Sequence, residues 1–363
     1  MGVTPTIRVL PDVLAAQRAA AEEFTARTEA AGHSAAAARG GYAPVDSARY
    51  LPATLVGRAA RHALAADRAW RVFAVFRRSF YCRSASGALI LVGPATLGAG
   101  PLHVLWAGSG ELERRLPAVG MGVGVDLDGA GPDASAALTL GLRDAREWWP
   151  PGPPCWNPTS LRRGLAWLAH AAERAPAEGV GQLIAPLATG AADPARLVGA
   201  PSLARRVWPA LAALSGWIRD ALVQGRAAGT LPASVDGLVG LGPGLTPSGD
   251  DVLAGALLAL HAFARPDLAG RLAAWLRPRA EGRTGAISLA HLECAAHGEG
   301  AAVLHDALAA LSSGDPVTLA GSTAAVGTLG HSSGWDGLAG IVAVGAAWLG
   351  AVADDGRPST PCR

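Results

Sequence analysis

The sequence predicts an α+β protein: a small β-rich N-terminal domain, then an all-α C-terminal domain containing a degenerate helix-loop-helix repeat. Three observations predict it. Short aromatic and aliphatic runs broken by glycine and proline fill residues 46–150. Apolar segments of helical length fill residues 155–355. Within the second stretch, the pattern Ser-Gly-x-Asp-x-Leu-Ala-Gly occurs twice, 85 residues apart. The chain has 363 residues, long for one core, and 50% of them are apolar, so two well-filled domains are expected.

Residues 1–45 are alanine-rich with scattered acids and arginines. They read as a peripheral helical arm, helical over 13–30 and ended by Gly40, Gly41 and Pro44. A short helix is expected over 55–66. Strand-like runs follow at 70–76, 79–82, 88–92, 102–106 and 119–125, punctuated by Gly87, Gly93-Pro94 and the glycines at 98–101 and 108–110. They suit a compact barrel or a sandwich. Gly120, Gly122 and Gly124 leave one face of the last run bare, which marks close backbone packing or a bulge. No G-x-G-x-x-G precedes a helix, so dinucleotide binding is not supported.

Trp148-Trp149-Pro150-Pro-Gly-Pro-Pro154 is the domain boundary, because proline at this density stops helix and sheet alike. Beyond it, Thr159 or Ser160 can cap a helix through Ala172. Helical patterns then run over 202–213, 216–226, 251–264, 268–276, 287–296, 300–311 and 336–353. The last is uncharged and approaches membrane-spanning length. Its glycines and its short repeat partner favour a buried core helix.

Composition excludes several chemistries. No lysine occurs anywhere, which removes a P-loop lysine, a Schiff-base lysine and any lysine-linked cofactor. The net charge of +2 and the lack of basic runs argue against nucleic acid. Cys82, Cys155, Cys294 and Cys362 are scattered, so no disulfide framework and a reducing, cytoplasmic setting are expected. The N-terminus does not read as a secretory signal. No metal or cofactor is expected. His291, Cys294 and His297 are spaced three apart on a helix, but the outer pair diverges by about 120°.

The strongest chemical feature is Gly242-Pro-Gly-Leu-Thr-Pro-Ser-Gly-Asp-Asp251, leading into an apolar helix. Simple capping would explain Ser248 and the first-turn acids. Three glycines, two prolines, two hydroxyls and two acids in ten residues exceed what a cap needs. Gly242, Gly244 and Gly249 can offer exposed amides, Thr246 and Ser248 hydroxyls, and the helix dipole a positive end. That is an anion-binding arrangement. Asp250 and Asp251 point about 100° apart, which disfavours one shared Mg²⁺. The second copy, Gly327-Thr-Leu-Gly-His331-Ser332-Ser333-Gly334-Trp-Asp336, keeps Asp251 as Asp336 and replaces Asp250 by Trp335. Gly242 and Gly327 keep the common offset, and Asp220-Ala-Leu222 recurs as Asp306-Ala-Leu308 at an offset of 86. Two such loops facing each other would make one site. Asp251 and Asp336 could orient an amide or carbamoyl NH₂. His331, beside a helix N-terminus, could hold a neutral imidazole for proton transfer or could simply cap. Arg283-Thr284-Gly-Ala-Ile-Ser288 resembles an anion clamp entering another helix. No G-x-S-x-G surrounds Ser248 or Ser333, so a serine hydrolase is not expected.

Three segments together, Gly240-Leu-Gly-Pro-Gly-Leu-Thr-Pro-Ser-Gly-Asp-Asp251, Arg283-Thr-Gly-Ala-Ile-Ser288 and Gly330-His-Ser-Ser-Gly-Trp-Asp336, resemble a bacterial family that includes the AllH subunit of oxamate carbamoyltransferase. The run Val72-Phe-Ala-Val-Phe-Arg77 is similar to that family's first strand. Gly285 stands where the family has threonine. The resemblance implies transfer between carbamoyl phosphate and oxamate, giving oxalurate and phosphate, in purine (allantoin) nitrogen catabolism. It also implies partner subunits. On this reading Asp251, His331 and Asp336 serve the chemistry, and Gly242, Gly244, Thr246, Ser248, Gly249, Asp250, Arg283, Thr284, Ser288, Ser332, Ser333 and Gly334 bind a small anionic metabolite. The alternative is a non-catalytic metabolite-binding or scaffolding subunit.

Overall fold

The computed structural model describes residues 50–107, 122–127, 138–190, 202–224 and 229–355. The arm expected at 1–45, the glycines at 108–110 and Gly120 lie outside them.

The first unit is a barrel. Its elements are β1 (Tyr50–Gly57), α1 (Arg58–Ala66), β2 (Trp70–Val75), β3 (Phe80–Ser84), β4 (Leu89–Pro94), β5 (His103–Trp106), β6 (Gly124–Leu127), β7 (Leu138–Gly141) and β8 (Arg146–Trp148). The strands lie in the order β5-β4-β3-β2-β6-β7-β1-β8, and β1 also pairs antiparallel with β5, which closes the sheet on itself. Closure leaves few free edges. Alternation of buried Trp70 and Val72 with exposed Arg71 points one face of β2 into the core, where Phe80, Ile90, Val92 and Val104 meet it.

The expected helix over 55–66 begins only at Arg58. Residues 53–56 are held in strand β1 by β5, and a Cβ on Gly57 would lie 2.0 Å from the Gly100 carbonyl oxygen. Cross-strand pairing overrides local helical preference there. Strands β7 and β8, not read from the sequence, pair parallel to the two halves of β1 around a register shift near Thr54. They are too short to carry a pattern.

The second unit comprises α2 (Pro158–Ala171), α3 (Ile184–Ala188), α4 (Ser202–Gln224), α5 (Ser248–Ala262), α6 (Pro266–Ala280), α7 (Ala286–Ala296), α8 (Ala302–Ser313), α9 (Pro316–Val326) and α10 (Ser333–Asp355). The cap of α2 is Asn157, whose side chain accepts from the amides of Thr159 and Ser160 with Pro158 at the first turn. Neither Thr159 nor Ser160 is the cap. The two helices expected at 202–213 and 216–226 are one, because Trp217 and Ile218 continue the buried stripe of Leu211 and Leu214 past Gly216. Helix α9 escaped the sequence reading, although Asp315 capping Thr318 with Pro316 at the start is an ordinary N-terminal signal.

The apolar segment 333–353 has mean hydropathy 1.6 and is long enough to cross a membrane, but 67% of it is buried inside this unit. It is the central core helix, packed on α4, α5, α2 and α3. Cys155 is disulfide-bonded, which departs from the expectation that the scattered cysteines form no disulfide framework. Sequence spacing screens only for local pairs; a bridge needs Cα proximity, which distant segments can supply. Cys82 and Cys294 are free and buried.

The barrel sits on α7. Tyr81 and Leu89 pack with Ile287, Arg58 Nη1 binds Glu299 Oε1 at 2.5 Å, and the Ala302 amide donates to Ala99 O at 2.8 Å.

Candidate functional site

The two repeats meet along α5 and α10. A Cβ on Gly255 would lie 1.9 Å from the Gly337 carbonyl oxygen, and one on Gly340 would lie 2.0 Å from the Val252 carbonyl oxygen. The 85-residue offset exchanges these two contacts, so the helices cross about an approximate two-fold axis. Glycine at both positions lets backbone touch backbone, and it brings both N-termini to one place.

The loops before the helices are related but unequal. The Leu241 amide bonds Leu238 O and the Gly249 amide bonds Leu241 O; likewise the Leu329 amide bonds Val326 O and the Gly334 amide bonds Leu329 O. Eight positions separate Leu241 from Gly249, and five separate Leu329 from Gly334. The first loop therefore carries three extra residues. Its turn glycine Gly242 (φ 125) corresponds to Gly330 (φ 63), both against the serine that opens the helix. Gly327, the equal-offset position, instead ends α9 in a right-handed conformation. The counterpart of α9 in the first repeat is only the short turn Ala233–Leu238.

The paired serines and aspartates cross over. Ser248 lies against Asp336 of the other repeat, and Ser333 against Asp251. Thr246 Oγ1 and Ser333 Oγ are 2.9 Å apart, which bridges the loops directly. Asp336 is fully buried; its Oδ1 accepts from the Val180 amide at 2.6 Å and its Oδ2 from Ser332 at 2.9 Å. Burial raises its carboxyl above the ordinary range, and those three donors hold it back. Asp251 is raised well above the usual carboxylate range, chiefly by burial, with Asp336 and Asp250 adding repulsion and Ser333 and Thr246 opposing. Its Oδ2 is shielded from solvent and has no hydrogen-bond partner among the described residues. Buried polar atoms are rarely left so.

Asp250 does different work. Its Oδ1 accepts from the Gly240 amide at 2.7 Å, and its Oδ2 from Ser288 at 2.7 Å and from Thr284. It ties the first loop to the start of α7. Arg283 reinforces the tie: its guanidinium donates to Asp236 Oδ2 at 2.8 Å, Asp236 O at 2.8 Å and Val239 O at 3.1 Å. The hydroxyls of Thr284 and Ser288 are thus committed to Asp250, and the exposed Arg283 side chain to Asp236 and Val239. Asp250→Ala strands the partly buried Gly240 amide and two hydroxyls, so a loss of about 3 kcal/mol in urea unfolding is expected. A loss under about 1 kcal/mol would show these bonds to be dispensable.

The amides of Gly249 and Gly334 are occupied. Those of Gly242, Gly244, Leu245 and Thr246, and of residues 330–333, make no hydrogen bond among the described residues. The free donors lie in each loop up to the first residue of its helix. His331 stands outside the buried cluster, exposed, with Nε2 3.4 Å from a Glu178 carboxylate oxygen. Residues 178–181 wrap over Asp336; a Cβ on Gly179 would lie 2.4 Å from Asp336 Oδ1. Nothing in that segment's composition marked it. A cavity of about 580 Å³ bordered by Thr54, Ala99, Gly141 and Arg146 lies in the barrel, away from the loops. Among the described residues, no cluster of histidine, cysteine and carboxylate could hold a metal.

Fold and site define a two-domain protein whose helical repeat sets two glycine-rich loops face to face around a pair of raised acids. Residues 238–345 match the family model described as oxamate carbamoyltransferase subunit AllH. The likeness read from the loops holds over this span, which takes in both loops and the clamp segment and leaves out the barrel. Neither the curated proteins nor the solved structures include a significant match.

Proposed function

We propose that the facing loops form the ligand site of a carbamoyltransferase-like subunit that binds a small anion bearing a carbamoyl or amide group. The observation that carries this reading is Asp251 Oδ2, shielded and unpartnered between two loops with free amides. Burial favours the protonated form of this carboxyl, and a protonated carboxyl complements a primary amide: one oxygen accepts N–H while the O–H donates to the carbonyl. The free amides of residues 242–246 and 330–333 suit the carboxylate or phosphate portion. Oxamate, oxalurate and carbamoyl phosphate each combine the two features.

In such a transfer the oxamate nitrogen attacks the carbonyl carbon of carbamoyl phosphate. A C–N bond forms, the C–O bond to phosphate breaks, phosphate leaves with the electron pair, and the nitrogen sheds a proton. Positioning and charge stabilisation are what a protein adds to this step. Cytoplasmic residence and companion subunits belong to the same proposal.

A non-catalytic binding subunit is the second reading. The bonds of Arg283 to Asp236 and of Thr284 and Ser288 to Asp250, with the outward position of His331, favour it, since these groups already have protein partners.

Calorimetric titration of the whole chain with oxalurate tests the site. Saturable binding that Asp251→Asn weakens at least tenfold supports it. Equal binding by both proteins removes Asp251 from the site, and absence of binding to the chain with its companion subunits sinks the reading. Turnover of carbamoyl phosphate with oxamate by that assembly separates the catalytic from the non-catalytic form.

A further inference from the structure

The cavity of about 580 Å³ beside β1 is large enough for a small molecule. Sites for organic ligands span roughly 300–1,000 Å³. Its place follows from how β1 is paired. Leu51 and Ala53 are buried in the barrel core, so Tyr50, Pro52 and Thr54 share the opposite, exposed face of the strand. The ladder with β7 ends at Pro52 opposite Gly141, and the ladder with β8 begins at Leu55 opposite Arg146. Residues 142–145 link the two. The register of β1 against β5 shifts at the same place, between Ala53 and Leu55. Such irregularities bend a sheet and re-aim its side chains.

The linking turn is pinned to the barrel. The Ala145 amide donates to Leu142 O at 3.2 Å, Arg61 of α1 donates to Ala145 O at 2.9 Å, and Leu142 is buried in the core. Arg143 and Asp144, at the middle of the turn, are left exposed. Together with Arg146 at the start of β8, they line the cavity. Neither arginine makes a hydrogen bond or ion pair among the described residues, and neither does Asp144.

Tyr50 borders the same space. Its ring crosses Gly141, where a Cβ would stand 2.0 Å from the phenol oxygen. That hydroxyl also has no partner among the described residues. Thr54 has already given its hydroxyl proton to Leu105 O at 3.2 Å. The rest of the lining is apolar: Pro52, Ala53 and Leu55 of β1, Leu105 of β5, and Ala95 and Ala99 from the connection between β4 and β5.

Free donors and apolar surface thus share one cavity. Two guanidiniums against one carboxylate leave a single positive charge, which suits a monoanion. A guanidinium fork matches the two oxygens of a carboxylate. Tyr50 is the one aromatic ring on the lining among the described residues, so nothing there sandwiches a base. We propose that the cavity beside β1 binds an organic monocarboxylate with an apolar body, its carboxylate held by Arg143 and Arg146. This site is separate from the facing loops and does not rest on the carbamoyl reading.

Octanoate is the probe, titrated into the full chain and followed by NMR. It should saturate one site and shift the signals of Ala53, Leu55, Ala95 and Ala99. The Arg143→Gln/Arg146→Gln double variant should bind it about tenfold more weakly, because a charged fork is lost. The melting temperature should stay unchanged, since both side chains are exposed and unbonded. Octanamide, which lacks the charge, and acetate, which lacks the apolar body, should each bind the wild type about tenfold more weakly than octanoate. Octanoate bound equally by the double variant, shifts confined to other parts of the molecule, or no saturation at millimolar octanoate would overturn the proposal. Octanamide or acetate binding as tightly as octanoate would do the same, because charge and apolar body would then not act together.

Discussion

Alanine at Gly340 is expected to destabilise the protein by about 3 kcal/mol, and alanine at Gly255 by a similar amount. On an exposed helix the same change stabilises by up to about 1 kcal/mol, because glycine loses more backbone entropy on folding. Here the added methyl meets backbone, not side chain. At Gly340 it would stand 2.0 Å from Val252 O and 2.8 Å from the Ala256 amide nitrogen; at Gly255, 1.9 Å from Gly337 O. No rotamer change relieves either contact. Helices α5 and α10 must separate, and with them the loops that begin both. Gly345, in the same helix, is the control: its nearest neighbour would be Leu161 Cδ1 at 3.6 Å, an ordinary contact, so alanine there is neutral or mildly stabilising. Thermal and urea unfolding of the three variants decides the matter. A Gly340→Ala protein as stable as the wild type would refute the close crossing, and with it the convergence of the loops.

Asp251→Asn is expected to gain stability and lose ligand. The unfolded aspartate titrates near 4. Burial raises the folded carboxyl well above that. Between the two values the folded state holds more protons than the unfolded state, so stability declines as pH rises through the window. The wild type therefore gives up about 1.4 kcal/mol for each pH unit crossed there, until the folded carboxyl ionises. Asparagine takes up no proton and escapes that decline. Asp336, raised in the same direction, keeps a share of the slope in the variant. The measurement is the urea midpoint from pH 4 to pH 8, with the variant's curve flatter and above the wild type at the alkaline end. A steeper curve would mean that Asp251 is ionised and favourably paired. Stability that rises while affinity falls is the pattern expected of an acid kept for binding rather than for folding.

Much of this site was legible in residue order. The recurrence of Ser-Gly-x-Asp-x-Leu-Ala-Gly revealed the repeat, and the retention of Asp251 as Asp336 singled out the two acids that Ser333 and Ser248 meet across the repeat. The same reading misjudged equivalence upstream, because a constant offset ignores the three residues by which the first loop is longer. It read Arg283, Thr284 and Ser288 as ligand-binding, and the structure shows them bonded to Asp236 and Asp250. A polar side chain near a loop looks the same in sequence whether its partner is a solute or a neighbouring carboxylate. The 178–181 segment left no trace at all, since it meets Asp336 only through folding of distant chain.

Local order alone determined the two-part architecture, the duplicated loops and the helical nature of the second half, because periodicity, capping residues and glycine placement act over a few residues. Only the tertiary structure decided that the barrel closes, that Ser248 and Ser333 exchange aspartates, and that Asp251 Oδ2 is left without a hydrogen-bond partner among the described residues. Those depend on which backbone touches which across 85 residues or more, and contact at that range is set by packing of the whole chain.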